Sequence, residues 1–170
     1  REQRGTGGFI MTRLHNFSAG PAALPLHVLE ELGEVIQEFG DMGAGIMEIS
    51  HRSKAFTDVS DRAEQRLRNL LGIPEDYAVL MLQGGASLQF YMSALNLLGP
   101  QDGADFIITG AWSEKALKEA KRVSRSAALW TPSDEVFNRV PADGSYMISS
   151  DATYVHYTTN NTIFGTQFQS

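Results

Sequence analysis

The stretch from Ala78 to Phe90 constrains the fold of this chain more than any other. The apolar run Ala78–Leu82 predicts a short buried strand, and the pair Gly84-Gly85 predicts a turn after it. Beyond the turn, apolar residues recur at the spacing of a helix with one buried stripe: Leu88, Tyr91, Leu95 and Leu98. A glycine turn leading into a helix N-terminus can bind an anion, because the first helical N–H groups are unpaired and the helix dipole is positive there. Taken alone, the pattern also fits a tight connection without a ligand.

Composition narrows the class of protein. The chain has 170 residues, 42% hydrophobic and 20% charged, which is typical of one globular domain or part of a larger one. A formal charge of −6 without a basic cluster argues against nucleic-acid binding. The absence of cysteine excludes disulfides and thiol nucleophiles. No apolar run approaches membrane-spanning length, so we expect a soluble, cytoplasmic protein. Residues 1–12 are expected to be a disordered or non-native extension, and residues 13–170 to form the domain.

The first half of the chain predicts helices and one short extended piece. Pro25 can start a helix whose apolar face runs to about Gly40. Ile46–Ser50 is expected to be extended. A second helix is predicted over Lys54–Leu71, and Gly72 suits the left-handed position that closes it.

The second half predicts strands that alternate with helices. The strands are expected at Asp105–Thr109, Ala127–Trp130 and Ala152–Tyr157, and Ser113 is the expected N-cap of the helix after the first. A polar loop, Thr158–Thr162, follows the last strand. This alternation predicts an α/β fold with a three-layer, mostly parallel sheet and helices on both faces.

The same topology predicts where a ligand binds. In parallel α/β sheets, ligands bind outside the carboxyl ends of the strands. The glycine turn, Trp112 and the Thr158–Thr162 loop each follow a predicted strand, so we expect them to meet at one edge of the sheet. This convergence favours a ligand site over a set of plain connections.

Five segments, in this order and spacing, resemble the phosphoserine aminotransferases, which are pyridoxal-phosphate enzymes of fold type I and class V. They are Asn16-Phe17-Ser18-Ala19-Gly20-Pro21-Ala22, Met47-Glu48-Ile49-Ser50-His51-Arg52, Gln83-Gly84-Gly85-Ala86-Ser87-Leu88-Gln89-Phe90, Gly110-Ala111-Trp112-Ser113 and Asn160-Asn161-Thr162-Ile163. The resemblance covers about the first half of such an enzyme. It therefore implies the N-terminal part of a fold-type-I domain, with an incomplete large domain.

The resemblance implies a pyridoxal 5′-phosphate site. Ala86 and Ser87 match the positions that hold the cofactor phosphate, which suits a helix N-terminus. Trp112 matches the aromatic residue that stacks on the pyridine ring, and Thr162 matches a residue that touches this ring. Without the resemblance, Trp112 would be interpreted as core filling, and Thr162 as a solvated or turn-capping residue.

It also implies a substrate site and a partner. Arg52 matches the arginine that binds the substrate carboxylate, a task that suits a guanidinium fork, and His51 lies beside it. In this family the loop that carries them can serve the neighbouring subunit, so a homodimer is implied. The alternative for Arg52 is a surface salt bridge with Glu48 or Asp58.

The family's catalytic lysine, which forms the Schiff base, is expected beyond Ser170, as is the aspartate that pairs with the pyridinium nitrogen. None of the lysines present follows a strand as that lysine should, so no catalytic residue is assigned in this chain: Lys54, Lys115, Lys118 and Lys121. A solvated helix face is the expected role of the last three. The four histidines lack metal-ligand spacing, so no metal site is expected, and His156 is expected to be a structural hydrogen-bonder.

The implied reaction belongs to serine biosynthesis. Glutamate gives its amino group to the cofactor, which passes it to 3-phosphohydroxypyruvate to make O-phosphoserine. Three alternatives stay open: another class V aminotransferase of the alanine or serine–glyoxylate type, a non-catalytic module that binds pyridoxal phosphate or another phosphate ester, and a piece without activity.

Overall fold

The computed structural model describes residues 13–134 and 136–169, so the expected extension at residues 1–12 lies outside the described residues. The chain divides into two compact units, the first ending at Val79 and the second beginning at Leu80. Within the described residues, no helix is long and apolar enough to cross a membrane.

The first unit is built on two helices, α1 (Leu26–Gln37) and α2 (Lys54–Leu71). Ser53 caps α2 by accepting a hydrogen bond from the Phe56 N–H group at 3.3 Å. Gly72 closes the helix at a φ of 63°, as predicted, and its N–H group donates to a carbonyl of the preceding turn. The apolar face of α1 is present but remains partly exposed, since no residue of either helix is buried in the described part of the chain.

Two predicted extended segments are absent from the structure. Ile46–Ser50 forms a series of turns. Ala78–Leu82 forms no strand, and the side chains of Leu80, Met81 and Leu82 are 52–71% exposed. Both predictions were wrong because a strand needs a neighbouring backbone to pair with, and apolar composition does not supply one.

The second unit contains the sheet. Its main elements are α3 (Gly85–Leu97), β1 (Gly103–Ile107), α4 (Ala111–Ala120), β2 (Ala127–Trp130) and β3 (Ala152–Tyr157). The strand order is β2-β1-β3, and β1 is parallel to both neighbours. This confirms the predicted parallel α/β arrangement.

The core of this unit forms where α3 and α4 pack against β1. Phe106 and Ile108 are 2% and 4% exposed and contact small residues of α4. Ala94 is the buried residue of α3, and Phe90 and Leu98, the residue that follows the helix, are partly buried against the same core. The predicted stripe was therefore partly wrong. Leu95 is 53% exposed, and the smaller Ala94 is buried in the core in its place.

The predicted polar loop after β3 contains one short strand, which pairs with a second strand just beyond the loop. β4 (Asn160–Asn161) pairs antiparallel with β5 (Thr166–Gln167). The tight hairpin is closed by a hydrogen bond of 2.8 Å from the Gly165 N–H group to the Asn161 carbonyl. This hairpin fixes the loop that carries Thr162.

Candidate functional site

The N-terminus of α3 is an open set of backbone donors. Gly84 precedes the helix at a φ of 98°, and a Cβ atom there would lie 2.5 Å from the Leu88 side chain, so the turn requires glycine. No side chain among the described residues caps this end. Ala86 and Ser87 are exposed. The first turn can therefore donate N–H groups and the Ser87 hydroxyl to an anion.

The turn after β1 is held by Ser113, which is fully buried. Its Oγ atom accepts hydrogen bonds from the N–H groups of Thr109 and Gly110 at 2.9 and 3.0 Å, and donates to the Gly110 carbonyl at 2.7 Å. The prediction that Ser113 is the N-cap was wrong. The N-cap is Gly110, and Ser113 reaches back to it from the third helical position.

Trp112 and Thr162, which are 50 positions apart in the chain, are in direct contact. The Trp112 Nε1–H group donates a hydrogen bond of 3.0 Å to the Thr162 Oγ1 atom. The two residues follow β1 and β3, which are adjacent and parallel, so their carboxyl ends meet at one edge of the sheet. Because Thr162 accepts this bond, its own hydroxyl proton remains available for another acceptor.

Beneath this pair lies a buried polar group that the sequence did not reveal. Asn161 is fully buried, and its Nδ2 atom donates to the Thr109 Oγ1 atom at 2.8 Å. The Thr166 hydroxyl donates to the Thr109 carbonyl at 2.6 Å. A Cβ atom on Gly110 would lie 2.7 Å from the Asn161 amide, so that amide packs directly on the turn before Trp112. No local pattern marks Asn161, whose partners lie about fifty residues away.

The lysines occupy helix positions, as expected. Lys54 forms an exposed ion pair of 2.8 Å with Asp58. Lys118 and Lys121 are exposed on or beside α4. Lys115 differs from them, because its Nζ atom lies 5.9 Å from the centroid of the Trp112 ring, within range of a cation–π contact.

His51 and Arg52 lie in the first unit, whereas the other four predicted site residues lie in the second. Both are exposed, in the turn that leads to α2. The alternative salt bridge is not formed. Glu48 accepts the Gly45 N–H group at 2.8 Å, Asp58 pairs with a lysine, and Arg52 has no ion pair with any described residue. Its guanidinium is therefore available to an anion.

His156 lies inside the second unit between two phenylalanines. Its ring is stacked on Phe106 at 4.8 Å and meets Phe90 edge-on at 6.0 Å. Its Nδ1 atom is buried without a hydrogen-bond partner among the described residues, so packing replaces the predicted hydrogen-bonding role. Burial lowers the pKa of His156, which favours the neutral imidazole. Within residues 13–134 and 136–169, no cluster of three or more side chains could hold a metal ion.

Comparison with known proteins agrees with this arrangement. The aminotransferase class-V family model matches residues 14–170. The chain is 45% identical over 158 residues to a phosphoserine aminotransferase of Desulfotalea psychrophila, covering 93% of this chain and 44% of the relative. It is 49% identical over 160 residues to one of Halalkalibacterium halodurans, again covering 44% of the relative.

The fold matches as well as the sequence. A solved phosphoserine aminotransferase from Trichomonas vaginalis, described as bound to PLP, superimposes with a TM-score of 0.82 at 39% identity, over 92% of this chain and 44% of that one. The chain thus spans somewhat less than half the length of these relatives. Since the family model covers almost every residue from Leu14 onwards, the chain belongs to the aminotransferase class-V family.

Proposed function

We propose that this chain supplies the cofactor phosphate and ring contacts of a phosphoserine aminotransferase. In this reaction an amino group passes between L-glutamate and 3-phosphohydroxypyruvate and yields O-phosphoserine. The proposal is supported by relatives of that name at 45% and 49% identity. The structural observation that carries it is the hydrogen bond between Trp112 and Thr162.

The residues present fit a phosphorylated planar ring. The uncapped N-terminus of α3 offers N–H donors and the exposed Ser87 hydroxyl, the donor set that a phosphate prefers. A flat indole at the edge of the sheet suits a planar aromatic ligand, because stacking buries the ring face and limits its tilt. Pyridoxal phosphate combines both chemistries, and when bound it supplies an electron sink for amino-group transfer.

Each predicted cofactor-binding residue then has a specific role. Ala86 and Ser87 would bind the phosphate, and Trp112 would stack on the ring. Thr162 would hold the ring through its hydroxyl, whose proton is still available because the oxygen accepts the Trp112 N–H group. No lysine of this chain is given a catalytic role. Lys54 is paired with a carboxylate, and the other three belong to the α4 region.

For the substrate, we propose His51 and Arg52 as the anion-binding pair. Arg52 has no competing ion pair among the described residues, and a guanidinium binds a carboxylate through two parallel hydrogen bonds. The proposal includes the homodimer that the family resemblance implies, and the cytoplasmic location expected from the sequence.

The test compares pyridoxal phosphate with pyridoxal, which lacks only the phosphate. In a Trp130→Phe variant Trp112 is the sole tryptophan, so quenching of its fluorescence reports a ring bound beside it. Pyridoxal phosphate is expected to bind at least about tenfold more tightly than pyridoxal, because one charge-assisted hydrogen-bond set contributes about 1.5 kcal/mol or more. Ser87→Ala should weaken only the phosphorylated ligand. Equal affinities would refute the phosphate assignment.

Two further outcomes separate the alternatives. Reaction with borohydride should leave no stable adduct on this chain, since a trapped adduct would mean that one of its lysines is reactive. With the intact gene product, transamination of O-phosphoserine should exceed that of alanine. A preference for alanine would favour the alanine or serine–glyoxylate type, and tight binding without any transamination would favour a non-catalytic module.

A further inference from the structure

We propose that Asn161 is a positioning residue for the cofactor ring, because its side chain sets the geometry of the Trp112–Thr162 pair. This inference rests on the proposed function for its ligand, but its structural part concerns the pair alone. Among the hydrogen bonds of the described residues, none joins Asn161 to the indole. It immediately precedes Thr162 and contacts the turn that precedes Trp112.

The first support is the way Asn161 joins the two segments. Its Nδ2 atom donates to the Thr109 Oγ1 atom at 2.8 Å, and both residues are fully buried. Thr109 follows β1 and leads through Gly110 into α4, where Trp112 is the second residue. One buried hydrogen bond thus connects the neighbour of Thr162 to the segment that aims the indole.

The second support is the close contact with Gly110. A Cβ atom there would lie 2.7 Å from the Cγ and Oδ1 atoms of Asn161. The backbone at Gly110 is extended, with a φ of 163°, so the glycine is needed for space and not for its conformation. The amide plane therefore sets how closely the hairpin of β4 and β5 approaches the turn.

The third support is an unsatisfied atom. The Asn161 Oδ1 atom is buried without a hydrogen-bond partner among the described residues. A buried acceptor without a partner carries a desolvation cost, so the hydrogen bond to Thr109 and the packing on Gly110 must outweigh that cost. Local exceptions of this kind are expected where function fixes a geometry. Thr166, which donates to the Thr109 carbonyl at 2.6 Å, already fastens the hairpin to the same segment, so Asn161 is a second and more specific link.

The test uses the Trp130→Phe chain, in which Trp112 alone fluoresces, and has a matched control. Asn161→Ala is compared with Asn160→Ala, its exposed neighbour in β4. Without ligand, acrylamide should quench the Trp112 fluorescence of Asn161→Ala more strongly than that of the parent. The quenching should approach that of Thr162→Val, which lacks the hydroxyl bound by Trp112, whereas Asn160→Ala should match the parent. The Kd for pyridoxal phosphate, followed by quenching, should rise about tenfold for Asn161→Ala, the equivalent of one lost hydrogen bond, and stay unchanged for the control.

A second pair of variants keeps the test decisive if Asn161→Ala fails to fold. Thr109→Val removes the acceptor at nearly constant shape and should reproduce the effects of Asn161→Ala. Thr109→Ser keeps the hydroxyl and should retain the parental accessibility of Trp112 and the parental Kd. If the substitutions lower the melting temperature but leave Trp112 accessibility and the Kd at parental values, Asn161 is only structural and the inference is wrong. If the parent itself does not bind pyridoxal phosphate, the proposed function fails, while the ligand-free accessibility still decides the role of Asn161.

Discussion

Replacing Gly110 by alanine introduces a methyl group where the structure has no space for one. The added Cβ atom would lie 2.7 Å from the Cγ and Oδ1 atoms of Asn161, whereas carbon contacts are optimal at about 3.5–4.0 Å. Asn161 is fully buried and cannot move into solvent. The backbone at Gly110 is extended and imposes no strain on alanine. The expected cost is therefore that of overpacking a buried site, about 1–3 kcal/mol.

Thermal unfolding followed by circular dichroism measures this cost. Each kcal/mol lowers the melting temperature by about 2–4 °C in a chain of about 150–250 residues, the size class of these 170 residues. The same substitution in an Asn161→Gly background serves as the control, because glycine lacks all three atoms that the methyl group meets, the Cβ, Cγ and Oδ1 atoms of Asn161. The penalty should fall markedly in that background. If Gly110→Ala costs less than about 0.5 kcal/mol, or as much with Asn161 as without it, the described packing is incorrect.

Three further predictions follow from other contacts. Burial lowers the pKa of His156 below 6.5, so the unfolded chain binds this proton more tightly than the folded chain. The free energy of unfolding, measured in urea, should therefore be independent of His156 protonation above about pH 6.5 and should decrease as the pH falls below that value. A His156→Gln variant that shows the same decrease would contradict this. Ser113→Ala removes a buried acceptor of two backbone N–H groups and should cost about 1–3 kcal/mol in the same assay, whereas an unchanged value would disprove that role. Gly33→Ala should stabilise α1 by up to about 1 kcal/mol, because nothing lies within 4 Å of the new Cβ atom, and a lower melting temperature would be the opposite result.

The elements that the sequence predicted well carry their own local signals. The helix over Lys54–Leu71 matches the structure at both ends, since Ser53 caps one end and Gly72 closes the other. The strands Ala127–Trp130 and Ala152–Tyr157 also match, because turn formers bound their apolar runs. Hydrophobic periodicity and end signals are sufficient to predict an element when the residues that cap it or pair with it lie in the same chain.

The segments predicted wrongly depend on contacts that a local pattern cannot encode. Ala78–Leu82 has the composition of a strand, but the described chain offers no backbone for it to pair with. Ser113 reads as an N-cap, yet its hydroxyl reaches back from inside the helix to satisfy two N–H groups. His156 reads as a hydrogen-bonder, but the structure holds it between Phe90 and Phe106. In each case tertiary packing overrides a correct local preference.

The candidate site was only partly accessible from the sequence. Topology alone predicts that the glycine turn, Trp112 and the Thr158–Thr162 loop meet at one edge of the sheet. The hydrogen bond between Trp112 and Thr162 confirms this for two of the three, whereas the strand predicted before the glycine turn is absent. Asn161 was missed, because an asparagine in a polar loop resembles a solvated residue until its partner Thr109 is known. The cofactor and substrate roles of the site residues stay predictions that rest on the family resemblance.

A crystal structure of the chain with pyridoxal phosphate would show whether these residues bind the cofactor. We expect the ring to stack on Trp112 and to lie within hydrogen-bond reach of the Thr162 hydroxyl. We also expect phosphate oxygens about 2.7–3.2 Å from the first N–H groups of α3, at Ala86 and Ser87. A ring bound elsewhere, or a phosphate that makes no contact with the N-terminus of α3, would contradict the proposal.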